Sequence, residues 1–257
     1  MSGPSLTELR ALGQPDSVTS RLNEEHWAGR LYMRDLSPYG TWLFARLGFT
    51  PNAVTGLMII FGITAGVVTA LGGLPSAIGA ALLIQLYLLL DCSDGELARW
   101  SRRTSVTGIY LDRIGHYLAE AALLTGLGIR AQGHLTLTGG YVTIGIAAAL
   151  FAVLIKAETD NVTVARAKSG LNGEVTDSAL EPASAGVARA RRLAGALRLH
   201  RVIQAVELSL LILLAAVADT IGGGLLATRV LAVGCLAVAA AMVAAHLAAI
   251  LASRRLK

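Results

Sequence analysis

Three aspartates and one histidine are spaced so that they could share a metal ion. Asp91 and Asp94 are three residues apart near the end of one long apolar segment, and Asp112 and His116 are four apart near the start of the next. Residues three or four apart lie on one face of a helix, so each pair presents its side chains in one direction. The connection between the segments is short, so the two faces can meet.

A carboxylate at membrane depth costs on the order of 3 kcal/mol to insert and therefore usually serves a function. Clustered carboxylates repel one another, and a divalent cation removes that conflict. Oxygen ligands favour Mg²⁺ or Mn²⁺, whereas the imidazole would shift the preference toward softer ions. Because a hard metal held by few carboxylates usually completes its shell with substrate phosphate, the residues predict a site for a phosphate ester or diphosphate. The candidate metal ligands are Asp91, Asp94, Asp112 and His116.

The composition predicts an all-α integral membrane protein. Of the 257 residues, 54% are hydrophobic and only 15% are charged, against about a quarter in soluble domains. The mean hydropathy is +0.61. Six segments are long enough to cross a bilayer as helices, at about 53–72, 76–97, 107–129, 138–158, 202–221 and 226–252.

The basic residues predict the orientation of these helices. Eighteen Arg and Lys residues fall before the first segment, after the second, after the fourth and at the end of the chain, whereas only Arg130 and Arg229 fall on the other side. By the positive-inside rule, both termini and the acidic cluster face the cytoplasm. We expect a multi-pass protein of the inner (plasma) membrane with a cytoplasmic site.

The residues before the first span divide into two parts. Residues 1–20 are rich in Ser, Gly and Pro, which predicts a flexible lead. Residues 21–48 mix aromatic and leucine side chains with arginines, which predicts an amphipathic helix in the membrane interface. An ordinary surface helix packed on the protein is the alternative. Residues 49–257 would then form the six-helix catalytic domain, with a cytoplasmic loop at about 169–188.

The spacing of the cluster resembles the signature of the CDP-alcohol phosphotransferase family. The stretch "DCSDGELAR", eight residues, Gly108, three residues, Asp112, three residues and His116 matches the pattern D-x2-D-G-x2-A-R-x8-G-x3-D-x3-D at every fixed position except the last. The stretch "FTPNAVTGL" at 49–57 is similar to the Thr-Pro-Asn-x-x-Thr entry to that family's first membrane helix. The resemblance covers roughly residues 40–220.

The resemblance implies a reaction and a donor site. Such enzymes transfer the phosphoryl group of a CDP-linked alcohol, usually CDP-diacylglycerol, to a second alcohol and release CMP. Asp91, Asp94 and Asp112 would hold Mg²⁺ or Mn²⁺ on the diphosphate. The implied partners are a CDP-linked lipid, a polar alcohol, membrane lipids and a second copy of the chain in a homodimer, with no nucleic acid. The donor-binding residues would be Asn52, Thr55, Asp91, Gly95, Ala98, Arg99 and Gly108.

His116 departs from the family, which has a fourth Asp at this position. Three interpretations follow: a general base for the acceptor hydroxyl, a metal ligand, or a structural residue in a CDP-lipid-binding relative with weakened activity. The rest of the motif is complete, which favours the catalytic base. Glu120, one turn further on, could orient the ring.

The acceptor side is predicted on the fourth span and the chain after it. Lys156 and Arg166 belong to a polar stripe at helical spacing. The stretch "VARAKSG" resembles a segment that binds phosphorylated acceptors such as inositol phosphate or glycerol phosphate, but two of its positions differ, so the acceptor is not identified. Arg191 and Arg192 could clamp an anionic acceptor. Juxtamembrane basic runs more often face anionic lipid.

Two other classes of protein explain fewer of these residues. A polyprenyl-diphosphate transferase also uses metal-bound aspartates in membrane helices, but it generally needs two separate Asp-rich motifs. A transporter would place ionisable residues near mid-membrane in several helices. Here one composite cluster lies at the inner edge of the membrane, which favours a membrane phosphotransferase.

Overall fold

The computed structural model describes residues 5–15, 27–170, 199–253 and 256, and the regular elements in these ranges are all helical. A π-helical turn, Gly29–Met33, leads into α2, and a 3-10 turn, Leu199–Ile203, precedes α7. The all-α fold class is confirmed. The helices are α1 (Leu6–Gly13), α2 (Arg34–Arg46), α3 (Pro51–Ala70), α4 (Gly73–Ser101), α5 (Val106–Gln132), α6 (Gly140–Lys168), α7 (Ala205–Gly222) and α8 (Leu226–Ala252).

Five of these helices, α3, α4, α6, α7 and α8, are long and apolar enough to cross a membrane, which identifies an integral membrane protein. Helix α5 corresponds to the predicted third span and has 27 residues. It is more polar than the others, and six spans therefore stay a prediction. The acidic and basic residues of α5 are Asp112, Arg113, His116, Glu120 and Arg130.

Helix α5 extends from one end of the bundle to the other. At its C-terminal end Arg130 donates hydrogen bonds to the Gly73 carbonyl and the Ser76 hydroxyl at the start of α4, both at 3.0 Å. At its N-terminal end the Ser105 hydroxyl donates to Asn52 Oδ1 of α3 at 3.4 Å. Helices α3 and α5 therefore run parallel to one another and antiparallel to α4, and the site residues lie at one end of the bundle.

The six long helices form one bundle, in which α5 also packs against α7 and α8. Helix α3 packs against both α4 and α5, α5 packs on α6, α6 on α8, α8 on α7, and α7 on α4. Helices α4 and α5 are not packed closely against one another. The first turn of α3 lines the gap that is left between them.

Glycines let the helices around α5 approach closely. A Cβ on Gly66 of α3 would lie 2.4 Å from the backbone carbonyl carbon of Ala122, and one on Gly126 would lie 2.2 Å from the Gly66 carbonyl oxygen. On the other side of α5, a Cβ on Gly145 of α6 would lie 2.7 Å from the Gly128 Cα. Small residues at such contacts are typical of membrane helix bundles. These contacts fix α5 against its neighbours.

The segment 1–20, predicted to be a flexible lead, contains helix α1 at residues 6–13. The Ser5 hydroxyl caps this helix by accepting from the Glu8 amide at 3.2 Å. Leu9 and Gly13 are buried where α1 packs against α4. Capping and burial thus outweigh the Ser, Gly and Pro content of the segment.

Helix α2 occupies part of the predicted interfacial segment and packs against α4 and α1. Ser37, Pro38 and Thr41 are buried, whereas Leu36 and Tyr39 are exposed. The helix therefore has one face on the protein and one apolar face directed away from it. Its location in a membrane interface stays a prediction.

We expect Gly66→Ala to destabilise the bundle by about 1–3 kcal/mol, because the added methyl group meets the α5 backbone and overpacking costs this much. Gly56 of the same helix is the matched control, because a Cβ there meets nothing within 4 Å. Gly56→Ala should leave the protein as stable as the wild type or slightly more stable. Thermal unfolding in detergent measures both, and equal melting temperatures for the two variants would contradict this account of the packing.

Candidate functional site

A short turn brings the last residues of α4 and the first residues of α5 to the same end of the bundle. Arg102 ends α4 in the left-handed region (φ 53°), and the Arg103 amide donates to the Ala98 carbonyl at 2.9 Å. The Ser105 hydroxyl then caps α5 by accepting from the Gly108 amide at 3.0 Å. The sequence motif is therefore divided between two helix ends that face a common space.

Asp91 of α4 and Asp112 and His116 of α5 converge in this space. One ligand atom from each residue lies within 4.8 Å of the others, and all three residues are partly exposed. His116 Nε2 lies 3.2 Å from Asp91 Oδ1 and 3.5 Å from Asp112 Oδ1. Two carboxylates this close repel one another unless positive charge lies between them. A divalent cation with mainly oxygen ligands fits this donor set.

Asp94 occupies a more enclosed position beside this group. Its side chain is largely buried, and its Oδ2 accepts a hydrogen bond from the Thr55 hydroxyl of α3 at 2.6 Å. It lines the same space but does not belong to the group of three. Metal coordination by Asp94 stays a prediction.

The space is a cleft of ≈ 410 Å³, within the range of small-molecule sites. The ends of α4 and α5 form its walls, and the first turn of α3 forms its floor. The four candidate metal ligands all line it. So do all seven predicted donor-binding residues, which are Asn52, Thr55, Asp91, Gly95, Ala98, Arg99 and Gly108. Their role in binding a donor stays a prediction.

Two glycines leave room in the cleft walls. A Cβ on Gly108 would lie 2.9 Å from Asn52 Oδ1, and a Cβ on Gly95 would lie 3.1 Å from Arg99 Nη1. Both close contacts are to polar side-chain atoms that line the cleft, in contrast to the backbone contacts of Gly66. Gly95 and Gly108 therefore border the cleft, and their role in binding a ligand stays a prediction.

Tyr87 is a site residue that the sequence analysis missed. Its hydroxyl and His116 Nδ1 are joined by a hydrogen bond of 2.5 Å, and the two rings meet edge to face at 82°. The Tyr87 side chain is buried. It lies one helical turn before Asp91, a spacing that places the two residues on one face of α4. Tyr87 therefore orients the imidazole.

The sequence suggested that Glu120 could orient the His116 ring, but the structure shows no hydrogen bond between these two side chains. Glu120 is buried and accepts a hydrogen bond from Lys156 Nζ of α6 at 2.9 Å. Lys156, a predicted acceptor ligand, is therefore the counter-ion of a buried carboxylate. Neither Lys156 nor the buried Arg166 lines the cleft. The other predicted acceptor ligands, Arg191 and Arg192, lie outside the described residues, as does most of the predicted loop at 169–188.

A second polar group lies between α5 and α6, next to the cleft. Arg113 and Tyr117 of α5 both donate hydrogen bonds to the Asp160 carboxylate. On the same part of α6, Glu158 Oε2 lies 3.0 Å from His246 Nδ1 of α8. Asp160 lies on α6 between Lys156 and Arg166 of the predicted polar stripe, and its partners could not be read from the spacing.

Comparison with known proteins places this site in a family. Residues 49–251 match the sequence model of the CDP-alcohol phosphatidyltransferase family, and this chain belongs to that family.

Two curated relatives are similar over a shorter stretch. The bifunctional IPC transferase and DIPP synthase of Thermococcus kodakarensis is 42% identical over 82 residues, which cover 30% of this chain and 18% of the relative. The protein of the same name from Aquifex aeolicus is 33% identical over 88 residues, which cover 33% of this chain and 19% of the relative. The chain thus spans about a fifth of the length of the curated relatives it matches.

Removing a carboxylate from the group of three should weaken divalent metal binding. We expect Asp91→Asn and Asp112→Asn each to lower Mn²⁺ affinity by more than about tenfold, since changes even beyond the ligands cost metal sites 10–100-fold. Asp35→Asn is the matched control, because Asp35 is exposed on α2. Mn²⁺ titration followed by electron paramagnetic resonance measures the affinities. Unchanged Mn²⁺ binding in both site variants would exclude this group as the metal site.

Proposed function

We propose that this protein is a metal-dependent membrane phosphotransferase that moves a substituted phosphoryl group from a CDP-linked alcohol to an acceptor alcohol and releases CMP. CDP-diacylglycerol is the proposed donor. The observation that carries the proposal is the convergence of Asp91, Asp112 and His116 in one cleft with every predicted donor-binding residue. Membership of the family supports the same reaction, and the two relatives are also named as transferases.

The donor end of the cleft is proposed to hold the diphosphate. Asp91 and Asp112, with Asp94 beside them, would hold Mg²⁺ or Mn²⁺. When bound, such an ion neutralises charge on a diphosphate and stabilises the charge that develops during phosphoryl transfer. Gly95 and Gly108 leave the space for the cytidine side of the donor.

His116 is proposed to take the proton of the acceptor hydroxyl. Tyr87 at Nδ1 holds the imidazole in one orientation, and the Asp91 and Asp112 carboxylates beside Nε2 would stabilise a proton that this atom accepts. When Nδ1 donates to the Tyr87 oxygen, Nε2 has a lone pair and can accept a proton. Metal coordination by Nε2 is the alternative, because this atom belongs to the same group of three.

The acceptor is proposed to be a phosphorylated polyol such as inositol phosphate or glycerol phosphate. Lys156 of α6 uses one ammonium hydrogen for Glu120, which leaves two further donors for an anionic ligand. Arg166 lies further along the same helix. Together with Arg191 and Arg192 they would provide the positive charge that an anionic acceptor needs.

We propose that α5 crosses the membrane in addition to the five apolar helices, which gives six spans. Helix α5 is about as long as α4 and α6 and joins the same two ends of the bundle. Arg130 and Arg229 lie near the end opposite the cleft, where Arg229 Nε donates to the Ala131 carbonyl at 3.1 Å. The cleft and both termini would then face the cytoplasm, in the inner membrane. A homodimer is also proposed.

Assay of the purified protein tests the function directly. CDP-diacylglycerol, Mg²⁺ or Mn²⁺, and either inositol phosphate, glycerol phosphate, free inositol or free glycerol are supplied, and CMP release is followed. We expect CMP release that requires both metal and one acceptor, stops with EDTA and returns with Mg²⁺ or Mn²⁺. CDP binding without CMP release in the presence of any of these acceptors would instead support a CDP-lipid-binding relative, and absence of both binding and release would exclude the proposal.

His116→Ala should lower kcat by about 10²–10⁴-fold, the usual contribution of a general base, while CDP affinity stays within error. Tyr87→Phe keeps the ring but removes the hydrogen bond, so we expect a smaller fall in kcat, of about tenfold. Steady-state kinetics and CDP binding by calorimetry measure these effects.

Two outcomes would change the assignment of His116. Full activity of His116→Ala would contradict the base. A loss of Mn²⁺ affinity in His116→Ala, as large as that in Asp112→Asn, would make His116 a metal ligand instead.

Lys156→Met should destabilise the protein by about 3–5 kcal/mol, because it leaves the buried Glu120 without its counter-ion. The double variant with Glu120→Gln should recover most of that loss. In the stable double variant, a raised KM for the anionic acceptor with an unchanged KM for the donor would assign Lys156 to the acceptor site. Wild-type stability of Lys156→Met in thermal unfolding would contradict the counter-ion role.

A further inference from the structure

The N-terminal helices are attached to α4 through a buried carboxylate next to the metal motif. Glu96 is fully buried. Its Oε1 accepts hydrogen bonds from Ser37 Oγ at 2.5 Å and Gln14 Nε2 at 2.8 Å, and its Oε2 accepts one from Thr41 Oγ1 at 2.7 Å. Because a buried charge is costly unless it is well bonded, this arrangement anchors both N-terminal segments on α4.

Gly13, the last residue of α1, lies directly on this anchor. A Cβ at Gly13 would be 3.1 Å from Glu96 Cβ, so a larger residue would push α1 away from α4. The Gly13 carbonyl accepts a hydrogen bond from Arg99 Nε at 2.6 Å. Carbonyl groups in the last turn of a helix have no partner within the helix and carry partial negative charge. The end of α1 therefore holds one edge of the Arg99 guanidinium.

The other edge of the Arg99 guanidinium is left for a ligand. Arg99 lines the cleft, and its Nη1 lies beside Gly95 in the wall. Among the residues that the structure describes, neither terminal nitrogen makes a hydrogen bond or an ion pair. The ion-pair contact of the neighbouring Glu96 carboxylate is with Arg34 Nη1, at 3.9 Å.

We infer that α1 belongs to the donor site. Glu96 holds α1 on α4, and the Gly13 carbonyl positions Arg99 to bind the diphosphate of the CDP-alcohol. The inference rests on the proposed function, and it adds Gly13 and Glu96 as positioning residues. A guanidinium fixed at Nε presents two parallel N–H groups, which suit phosphate oxygens.

A double-mutant cycle tests this inference by CDP binding, measured by calorimetry with MgCl₂ on the full-length protein. Gly13→Val should weaken CDP binding by about tenfold, the change expected when one charge-assisted contact is misplaced. Ala11→Val is the matched control, because Ala11 is exposed on the same helix, and it should change the affinity by less than about twofold. In an Arg99→Ala background, Gly13→Val should have less than about a twofold effect.

Steady-state kinetics distinguish a positioning role of Gly13 from a merely structural one, because loss of structure alone would not change the KM of one substrate selectively. For Gly13→Val we expect the KM for the CDP-alcohol to rise while the KM for the acceptor stays constant. If Gly13→Val does not fold, Glu96→Gln replaces it in the same cycle with the same expectation. Wild-type CDP affinity in the variant, or an equal loss with and without Arg99, would overturn the inference and leave the proposed function intact. Failure of the wild-type protein to bind CDP would instead exclude the proposed function.

Discussion

The site depends on holding two like charges, Asp91 and Asp112, close together between helices of an apolar bundle. Their ligand atoms and that of His116 lie within 4.8 Å of one another, an arrangement that is unfavourable without a compensating cation. The bundle resists the repulsion because α5 is fixed on both sides by glycine contacts between backbones. The turn after Arg102 limits how far the two helix ends can separate. On the proposed function, a diphosphate held through a divalent ion would occupy this site.

Three polar side chains around the cleft are each hydrogen-bonded to a partner on a neighbouring helix. The groups that remain available to a ligand are therefore the ones outside these pairs. Thr55 bonds to Asp94, Tyr87 to His116, and Lys156 to Glu120. Each pair joins two helices, so the same contacts that stabilise the bundle also orient the site. Asp91 and Asp112 remain at the open side of the cleft, with the imidazole between them. On the proposed function, the reacting groups of the substrate would meet there.

The sequence predicts which site residues share one face of a helix. It does not predict which residues on different helices contact one another. The three- and four-residue spacings placed Asp91, Asp94, Asp112 and His116 correctly on two helix ends, because helical geometry alone decides which residues share a face. The pairing of Lys156 with Glu120 depends on how α5 packs on α6, and no periodicity carries that information.

Helix α1 was missed for a different reason. Ser5 and Glu8 have the spacing of a capping box, but the Ser, Gly and Pro content around them favoured a flexible lead.

The central claim is that Asp91 and Asp112 bind one divalent ion together. Crystals of the protein grown with Mn²⁺ and CDP, with anomalous diffraction recorded at the manganese edge, test it most directly. The account predicts one anomalous peak in the cleft, about 2.2 Å from an oxygen of each carboxylate and in contact with the diphosphate. A diphosphate bound without a peak between these carboxylates, or a peak only elsewhere on the protein, would contradict it.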